Sequence, residues 1–287
     1  MHHILRFLPT LRVHSWGGFG SQLFTAYVIL KIQKQFPNRR IKVVIHTSGV
    51  TRRISEFDFE TLGVKMTQIE DYKAAVSQNG MHRAHSSYTY NLPQTIRRHL
   101  YQILQWLRLV QSVNTDLSFN LISLWTLSIR GHYTRLSLDK LFVERLYEVL
   151  FSKEFPLITQ KSTLVVHYRL GDLLNLDEKQ PISVDRVEGV LDELRVHTNH
   201  LVLLSDSNDT ELAEFLKSSM ILKFSKPLSY DPNRTLRLCI DAESFVGTAA
   251  KISLWAAIFR YFVYAKESFL PTELDWSRGN GLEAIWY

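Results

Sequence analysis

Residues Leu164–Asp172 read LVVHYRLGD, an apolar run that leads directly into a His-x-Arg-x-Gly-Asp group. The run has the length of a buried strand, so Arg169 stands where that strand ends. In open α/β sheets, ligands bind beyond the carboxyl ends of the strands, and a guanidinium there is suited to bidentate recognition of phosphate. The stretch therefore predicts an anion-binding strand end. The alternative is a local ion pair of Arg169 with Asp172, with Gly171 making the turn.

Strand-like and helical runs alternate around this stretch. We expect strands at Thr163–Tyr168, His200–Ser205, Met220–Phe224 and Ser244–Gly247, and helices at Arg186–His197, Asp209–Ser218, Asn233–Ala242 and Ile252–Tyr264. Such alternation predicts a parallel sheet covered by helices. Asp172, Asp206 and Thr248 then lie just past strand ends.

The first half begins with a β-loop-α-β unit that has glycines in its loop. It consists of a strand at Leu11–His14, an amphipathic helix at Gly20–Phe36 that stops at Pro37, and a strand at Ile41–His46. Two later runs, Leu92–Gln111 and Ser137–Phe151, have helical patterns. The proline-containing segment Phe155–Ser162 is the expected linker, which divides the chain into domains 1–157 and 158–287.

Composition and charge narrow the possible partners. The 287 residues are 45% hydrophobic, which is ordinary for a folded globular protein, and the net charge of +6 favours an acidic partner. The basic clusters lack the aromatic-basic pattern of nucleic-acid modules, so we expect no nucleic acid. Cys239 is the single cysteine, which fits a reducing cytoplasm. Neither a secretory signal nor a membrane-spanning run is recognisable.

The motifs and their order resemble those of the bacterial alpha-1,2-fucosyltransferases of glycosyltransferase family 11, within the superfamily of GDP-fucose-dependent transferases. The resemblance spans nearly the whole chain and rests on Gly17–Gln22 (GGFGSQ), His167–Asp172 (HYRLGD), Leu204–Asp206 (LSD) and Gly247–Trp255 (GTAAKISLW). It implies a GT-B-like α/β fold, in which two Rossmann-like domains face each other across a cleft. It also implies inverting, metal-independent transfer of fucose from GDP-fucose to a glycan acceptor, in the synthesis of a bacterial surface polysaccharide such as O-antigen or capsule.

The family resemblance implies roles for several residues of the second half. Arg169 is expected to neutralise the β-phosphate as it leaves, and Thr248 and Ser253, near a helix start, are expected to hold phosphate oxygens. Asp206 resembles the acid that recognises the guanine edge, and His167 resembles the histidine that contacts the nucleoside. Helix capping by Ser253 or Asp206, and a buried, hydrogen-bonded His167, are the structural alternatives.

The glycine loop of the first half is expected to approach the sugar and the bond being broken. Glycine at Gly17, Gly18 and Gly20 permits close backbone approach to a ligand. Gln22 either reaches the cleft from the start of the following helix or is exposed at the surface.

A base for the acceptor hydroxyl is not fixed by the sequence. The candidates are Asp177 and Glu178, which follow the Arg169 motif, and His14, which borders the glycine loop. Asp172 is expected to orient Arg169 rather than to act as the base.

Departures from the family pattern keep other functions open. Ser21 and Leu170 replace the usual Asn and second Arg, Ser207 follows a single Asp206, and Ala249–Lys251 interrupts a small polar run. A GT-B transferase that uses another nucleotide sugar, or a non-catalytic nucleotide- or polyanion-binding module, are the alternatives. We expect no metal and no cofactor besides the donor, since no Asp-x-Asp occurs and Glu56–Glu60 (EFDFE) has the pattern of a solvated face.

The segment Leu92–Gln111 has the composition of a membrane-surface helix. Its basic residues Arg97, Arg98 and Arg108 accompany the apolar residues Leu100, Leu104, Trp106 and Leu107. This mixture favours peripheral attachment to anionic lipid, where a lipid-linked oligosaccharide acceptor would be found. The expected location is therefore the cytoplasm, at the inner face of the cytoplasmic membrane. Packing of the apolar face inside the first domain is the alternative.

Overall fold

This computed structural model describes residues 9–46, 55–69, 94–151, 163–170, 173, 180–194, 200–207, 209–217, 227–228 and 231–287. The chain divides into two compact units, Met1–Ser137 and Leu138–Tyr287. This division differs from the expected boundary at 157/158, which placed the helix Lys140–Phe151 in the first domain. The helix belongs to the second unit because Tyr147 and Phe151 pack edge-on against Phe259 of that unit.

The first unit is built on five parallel strands in the spatial order β3-β2-β1-β5-β4. They are β1 (Leu11–Trp16), β2 (Ile41–His46), β3 (Lys65–Ile69), β4 (Val110–Ser112) and β5 (Ser128–Arg130). The helices are α1 (Phe19–Gln35), α2 (Gln94–Trp106) and α3 (Asp116–Asn120), with a 3-10 helix at Phe59–Leu62. The first strand, helix and second strand confirm the β-loop-α-β unit predicted from the sequence.

The helix expected at Leu92–Gln111 is shorter than predicted. It ends at Trp106, because Arg108 adopts a left-handed backbone with φ of 56° and the chain then enters β4 at Val110. Three residues are too few for a sequence pattern to distinguish a strand from the end of an amphipathic helix, so β4 was missed.

The second unit contains six parallel strands in the order β11-β10-β9-β6-β7-β8. They are β6 (Thr163–Tyr168), β7 (His200–Ser205), β8 (Pro227–Leu228), β9 (Ser244–Gly247), β10 (Phe269–Leu270) and β11 (Ile285–Trp286). The helices are α4 (Lys140–Phe151), α5 (Val184–Leu194), α6 (Asp209–Phe215), α7 (Pro232–Asp241) and α8 (Lys251–Tyr264), with a 3-10 helix at Thr272–Asn280. The expected strand Met220–Phe224 and the expected linker Phe155–Ser162 lie outside the described residues.

Strand β6 is central to this sheet, and every one of its residues is buried. Leu164, Val166 and Tyr168 face a core that includes Val187 and Leu191 of α5. A parallel strand that is covered on both faces needs apolar residues in succession rather than in alternation. The LVV run therefore predicted this strand with its bounds.

Helix α8 carries a buried cation, Arg260, that is 1% exposed. Its guanidinium donates to the backbone carbonyl oxygens of Ile240 at 3.1 Å, Glu243 at 2.9 Å and Glu267 at 2.8 Å, and also to that of Ala242. These bonds tie α8 to the end of α7. Among the described helices, α8 included, none combines the length and apolarity needed to cross a membrane.

Candidate active site

Polar residues converge at the carboxyl edge of the second sheet, where the sequence placed them. His167 is the penultimate residue of β6, Arg169 follows that strand, Asp206 follows β7 and Thr248 follows β9. His167 lies opposite Gly247 in the register of β6 and β9. Because these three strands are parallel neighbours, their ends share one edge of the sheet, where ligands of open α/β sheets bind.

Hydrogen bonds fix the backbone on both sides of Arg169. The Thr248 N–H and hydroxyl donate to the His167 carbonyl at 3.0 and 3.1 Å, and the same hydroxyl oxygen accepts from Arg169 N–H at 2.8 Å. The Leu170 N–H donates to Asp206 Oδ1 at 2.9 Å. Thr248 and Asp206 therefore hold the strand end from which the Arg169 side chain projects.

A buried pair, His167 and Ser253, joins β6 to the first turn of α8. The imidazole Nδ1 lies 2.7 Å from the Ser253 Oγ, and both side chains are buried. Burial, together with the nearby Arg169, lowers the pKa of His167 to about 4 despite the opposing effect of Asp206. The ring is therefore neutral near pH 7 and forms one well-defined hydrogen bond.

This pair changes the expected role of Ser253. Capping is wrong, because Ala250 occupies the cap position of α8. Direct contact with phosphate oxygens is also disfavoured, since the hydroxyl is buried and bonded to His167. The structure therefore shows Ser253 as a partner of the His167 ring, and its contact with phosphate stays a prediction; His167 matches the buried, hydrogen-bonded alternative.

The start of α8 has the chemistry of an anion site. Ala250 at the cap position offers no side-chain acceptor, and the first turn contains Lys251 but no acidic residue. The Arg169 Nη1 lies 3.4 Å from the Ala249 carbonyl oxygen, so its half-buried guanidinium stands beside this helix start. Backbone N–H groups at a helix N-terminus and an adjacent guanidinium both favour phosphate. Together they can bind a diphosphate.

Gly247 permits the close approach of β9 and α8. A Cβ at this position would come within 2.6 Å of the Ser253 Cβ and 3.0 Å of a Leu270 methyl group. Both neighbours are buried, so neither side chain can swing into solvent.

Gly247→Ala is expected to lower the free energy of unfolding by about 1–3 kcal/mol, because a methyl group is forced into a packed contact. The added methyl group would also push Ser253, and with it α8, away from β9, which should weaken nucleotide binding at the start of α8. Gly189→Ala in α5 is the matched control: its Cβ would meet nothing within 4 Å, and alanine is favoured over glycine in a helix by about 0.5–1 kcal/mol. Urea unfolding of both variants is the measurement, and equal effects of the two substitutions would contradict the proposed contact.

The glycine loop of the first unit precedes a helix start that already holds a carboxylate. Gly17 has φ of 82°, which glycine adopts without strain, and Gly18 occupies the cap position of α1. The Phe19 N–H donates to Glu56 Oε2 at 2.5 Å. A phosphate placed there would face that carboxylate, so α1 is not equivalent to α8 as an anion site.

Gln22 is a buried residue in the first turn of α1, so its expected place at the helix start is confirmed and the alternative of surface exposure is wrong, while its contact with a substrate stays a prediction. Its Oε1 accepts from the N–H groups of Glu56 and Phe57 at 2.9 and 2.8 Å, and its Nε2 donates to the Gly17 carbonyl at 3.2 Å. The EFDFE segment is likewise not a solvated face throughout, since Phe57 and Phe59 enter the core. Gln22 thus positions the glycine loop. Gly20 is buried in the first turn of α1, and contact of Gly17 or Gly18 with a sugar stays a prediction.

The sequence analysis missed an aromatic cluster at the carboxyl edge of the first sheet. Trp16 and His46 end β1 and β2 and stack with ring centroids 4.3 Å apart, while the Arg130 guanidinium lies 4.4 Å from the Trp16 ring centroid. Burial, with Arg130, lowers the pKa of His46 to about 4. Aromatic residues at the ends of two neighbouring predicted strands were the available signal.

His14 belongs to the same cluster. Its Nδ1 lies 2.8 Å from the His46 Nε2, and its carbonyl accepts from the Tyr133 hydroxyl at 2.8 Å. The ring is buried, so in this arrangement it is not presented to a substrate as a base.

The remaining expected site residues, Asp172, Asp177 and Glu178, lie outside the described residues, and their roles stay predictions. Within the described ranges, no three His, Cys, Asp or Glu side chains are grouped so as to hold a metal ion. The predicted residues therefore form two groups, one at the carboxyl edge of each sheet.

No protein-family model matches the chain, and no curated protein matches it by sequence. Among solved structures, it is similar to Staphylococcus aureus MnaA bound to UDP, with a TM-score of 0.51, 7% identity and coverage of 91% of this chain and 78% of that chain. A glycosyl transferase family 9 protein from Veillonella parvula has a TM-score of 0.48, 12% identity and coverage of 92% and 81%. The ADP-heptose lipopolysaccharide heptosyltransferase II of E. coli has a TM-score of 0.46, 9% identity and coverage of 97% and 90%.

These comparisons concern the fold. The two all-parallel sheets covered by helices, with the similarity to MnaA, give the chain a GT-B-like α/β fold with two Rossmann-like units, as its sequence predicted.

Proposed function

We propose that the chain is a glycosyltransferase that binds a nucleotide-sugar donor through its diphosphate at the carboxyl edge of the second sheet. The observation that carries this proposal is the guanidinium of Arg169 beside the start of α8, which lacks a side-chain cap. Hydrogen bonds to Thr248 and Asp206 fix the backbone at Arg169, so the guanidinium projects from a defined position.

The proposed reaction is an inverting sugar transfer. The acceptor oxygen forms a bond to the anomeric carbon as the bond from that carbon to the β-phosphate oxygen breaks, and the acceptor hydroxyl loses its proton. Negative charge accumulates on the departing diphosphate. Arg169 and the N–H groups of α8 are placed to stabilise that charge as it develops. Asp177 and Glu178 are the candidates to accept the proton, because the ring of His14 is enclosed.

GDP-fucose is the donor we propose, and a surface-polysaccharide glycan or lipid-linked oligosaccharide is the proposed acceptor. The order of motifs supports fucosyl transfer with alpha-1,2 linkage. Asp206 is exposed, and while its Oδ1 accepts from Leu170 N–H, a carboxylate has acceptor sites for further donors. The N–H groups of a guanine edge match that chemistry.

A uridine nucleotide is the second candidate donor, because MnaA, which shares the fold, is bound to UDP. A thermal-shift panel of GDP, UDP, CDP and ADP separates these possibilities. A nucleotide that binds only the folded state stabilises it by about 2.7 kcal/mol at 100 times its dissociation constant. We expect GDP to give the largest rise in melting temperature. Absence of a rise with any of the four would contradict a nucleotide site.

Donor hydrolysis then separates an enzyme from a binding module. A transferase is expected to release GDP slowly from GDP-fucose in the absence of acceptor. Binding without any release, with or without a glycan acceptor, would favour the non-catalytic alternative.

Transfer is expected to persist in EDTA, because Arg169 and the α8 N-terminus supply positive charge to the leaving diphosphate. The measurement is the transfer rate after dialysis against EDTA, with and without added Mg²⁺. A modest increase with Mg²⁺ agrees with faster product release. Complete loss of activity that metal restores would contradict the proposed role of the guanidinium.

A further inference from the structure

Large apolar side chains are exposed on two neighbouring segments of the first unit. Trp106 is 81% exposed and Trp125 is 65% exposed, an unusual state for the largest side chain. Four further exposed residues accompany them: Ile103, Leu107, Leu121 and Leu124. We call these six residues the amino-edge patch.

The two segments meet at the amino edge of the first sheet. Residues 103–109 precede β4 and residues 121–127 precede β5, which pairs with β4. The Thr126 hydroxyl donates to the Arg108 carbonyl at 3.0 Å, and the Leu127 N–H donates to the Leu109 carbonyl at 2.7 Å. Trp106 and Trp125 each lie within two residues of this junction, so the two exposed indoles belong to neighbouring, hydrogen-bonded segments.

The solvent-facing side of α2, with Leu107 directly after its end, contributes half of this patch. Ile103, Trp106 and Leu107 are spaced at i, i+3 and i+4 and therefore share a helix face. These three side chains are exposed, so the alternative in which the apolar face packs inside the first domain is wrong for Trp106 and Leu107, while Leu100 and Leu104 are partly buried. Contiguous exposed apolar surface of this kind marks an interaction site.

The charges around the patch are positive. Arg108 is exposed in the first segment, at its junction with the second. The exposed Arg40 directly precedes β2 at the same edge of the sheet, and the exposed Lys34 lies in the last turn of α1. Between His99 and Leu127 the sequence contains one carboxylate, Asp116, which is bonded to Lys31 at 3.2 Å. The patch is therefore complementary to an anionic partner.

From this combination we infer that the amino-edge patch binds the surface of an anionic bilayer. Tryptophan is enriched where apolar and polar layers of a membrane meet, leucine and isoleucine enter the acyl boundary, and arginine and lysine attract acidic headgroups. A second copy of the chain fits less well, because a two-fold contact through one patch would bring Arg108 and Arg40 towards their own copies. This inference does not depend on the proposed transferase function.

The test is co-sedimentation of the full chain with vesicles of equimolar phosphatidylcholine and phosphatidylglycerol, and with vesicles of phosphatidylcholine alone. We expect binding to the anionic vesicles at low salt, at least several-fold weaker binding to the neutral ones, and loss of binding in about 1 M NaCl, where charges are screened beyond about 3 Å. Failure to bind anionic vesicles at low salt would overturn the inference, and so would equal binding to both kinds of vesicle.

Two sets of variants connect the binding to these residues. Trp106→Ala with Trp125→Ala is expected to reduce vesicle partitioning by about 10-fold or more, since both indoles would otherwise bury apolar surface at the membrane interface. Arg108→Glu is expected to reduce it by about 5-fold or more, at about 1 kcal/mol for each basic residue near the surface. The matched controls in the second unit are Leu141→Ala and Arg145→Glu, which also alter exposed side chains.

Thermal melting and gel filtration accompany these measurements. Substitutions of exposed side chains change stability little, so the melting temperatures should stay close to that of the original chain. Undiminished vesicle binding by the double tryptophan variant would overturn the inference. A concentration-dependent dimer that this variant abolishes, without vesicle binding by the original chain, would assign the patch to self-association instead.

Discussion

Replacing Arg169 with alanine is expected to lower single-turnover sugar transfer by about 100-fold or more, the cost of removing one group that stabilises charge in a transition state. The guanidinium stands beside the start of α8, where we place the leaving diphosphate. Arg169→Lys should restore little, because an ammonium cannot reproduce the planar, bidentate donor geometry.

The fold should survive this substitution. The Arg169 backbone N–H still donates to Thr248, and the side chain is half-buried rather than part of a core. Arg145→Ala is the control, since Arg145 is an exposed arginine of the same unit, paired with Glu148 at 2.9 Å. Activity near that of the original chain would remove Arg169 from the mechanism, and a large fall in melting temperature would assign it a structural role.

Replacing Arg260 with methionine is expected to lower the free energy of unfolding of the second unit by about 3–5 kcal/mol. Methionine fills similar volume but removes the guanidinium donor from the carbonyl oxygens of Ile240 and Glu243, and leaves the Ala242 carbonyl with Lys266 alone. Burial lowers the pKa of Arg260 to about 10, so the guanidinium is still charged near pH 7. The surrounding carbonyl groups and the end of α7 compensate that charge.

Arg260→Lys should have an intermediate effect, because an ammonium has three donors where the guanidinium has five. Urea unfolding of both variants, with Arg145→Met as the surface control, is the measurement. A loss below about 0.5 kcal/mol for Arg260→Met would show that these hydrogen bonds contribute little net stability.

Much of the second unit could be predicted from sequence, because its central strands are buried on both faces. The runs Thr163–Tyr168, His200–Ser205 and Ser244–Gly247 form strands with the predicted bounds. Most of the missed strands, such as β4, β10 and β11, have two or three residues, which is too short for any periodicity; β3, with five residues, was missed as well. Their pairing is decided by neighbouring strands.

The candidate site could likewise be predicted only in part. The positions of Arg169, Asp206 and Thr248 at strand ends follow from chain order, and the sequence placed them correctly. The hydrogen bond between His167 and Ser253 was not predictable, because it depends on how closely α8 approaches β9 at Gly247.

The starts of α1 and α8 also differ in a contact that local sequence cannot predict. Both α1 and α8 begin inside motifs on which the family resemblance rests, and neither has a side-chain cap. Glu56, which is distant in sequence, places its carboxylate at the start of α1. No local pattern could indicate this contact, yet it distinguishes the two helix starts and is one reason why we propose that the diphosphate binds to the second unit.

The central claim is that Arg169 and the start of α8 bind the donor's diphosphate. The most direct measurement is calorimetric titration of GDP and of guanosine into the original chain and into Arg169→Ala. A charge-assisted hydrogen bond contributes about 1.5–3 kcal/mol, so GDP affinity should fall by about 10- to 150-fold in the variant. Guanosine, which has no phosphate, should bind both proteins equally. Equal GDP affinity in the two proteins, or an equal loss for GDP and guanosine, would contradict the claim.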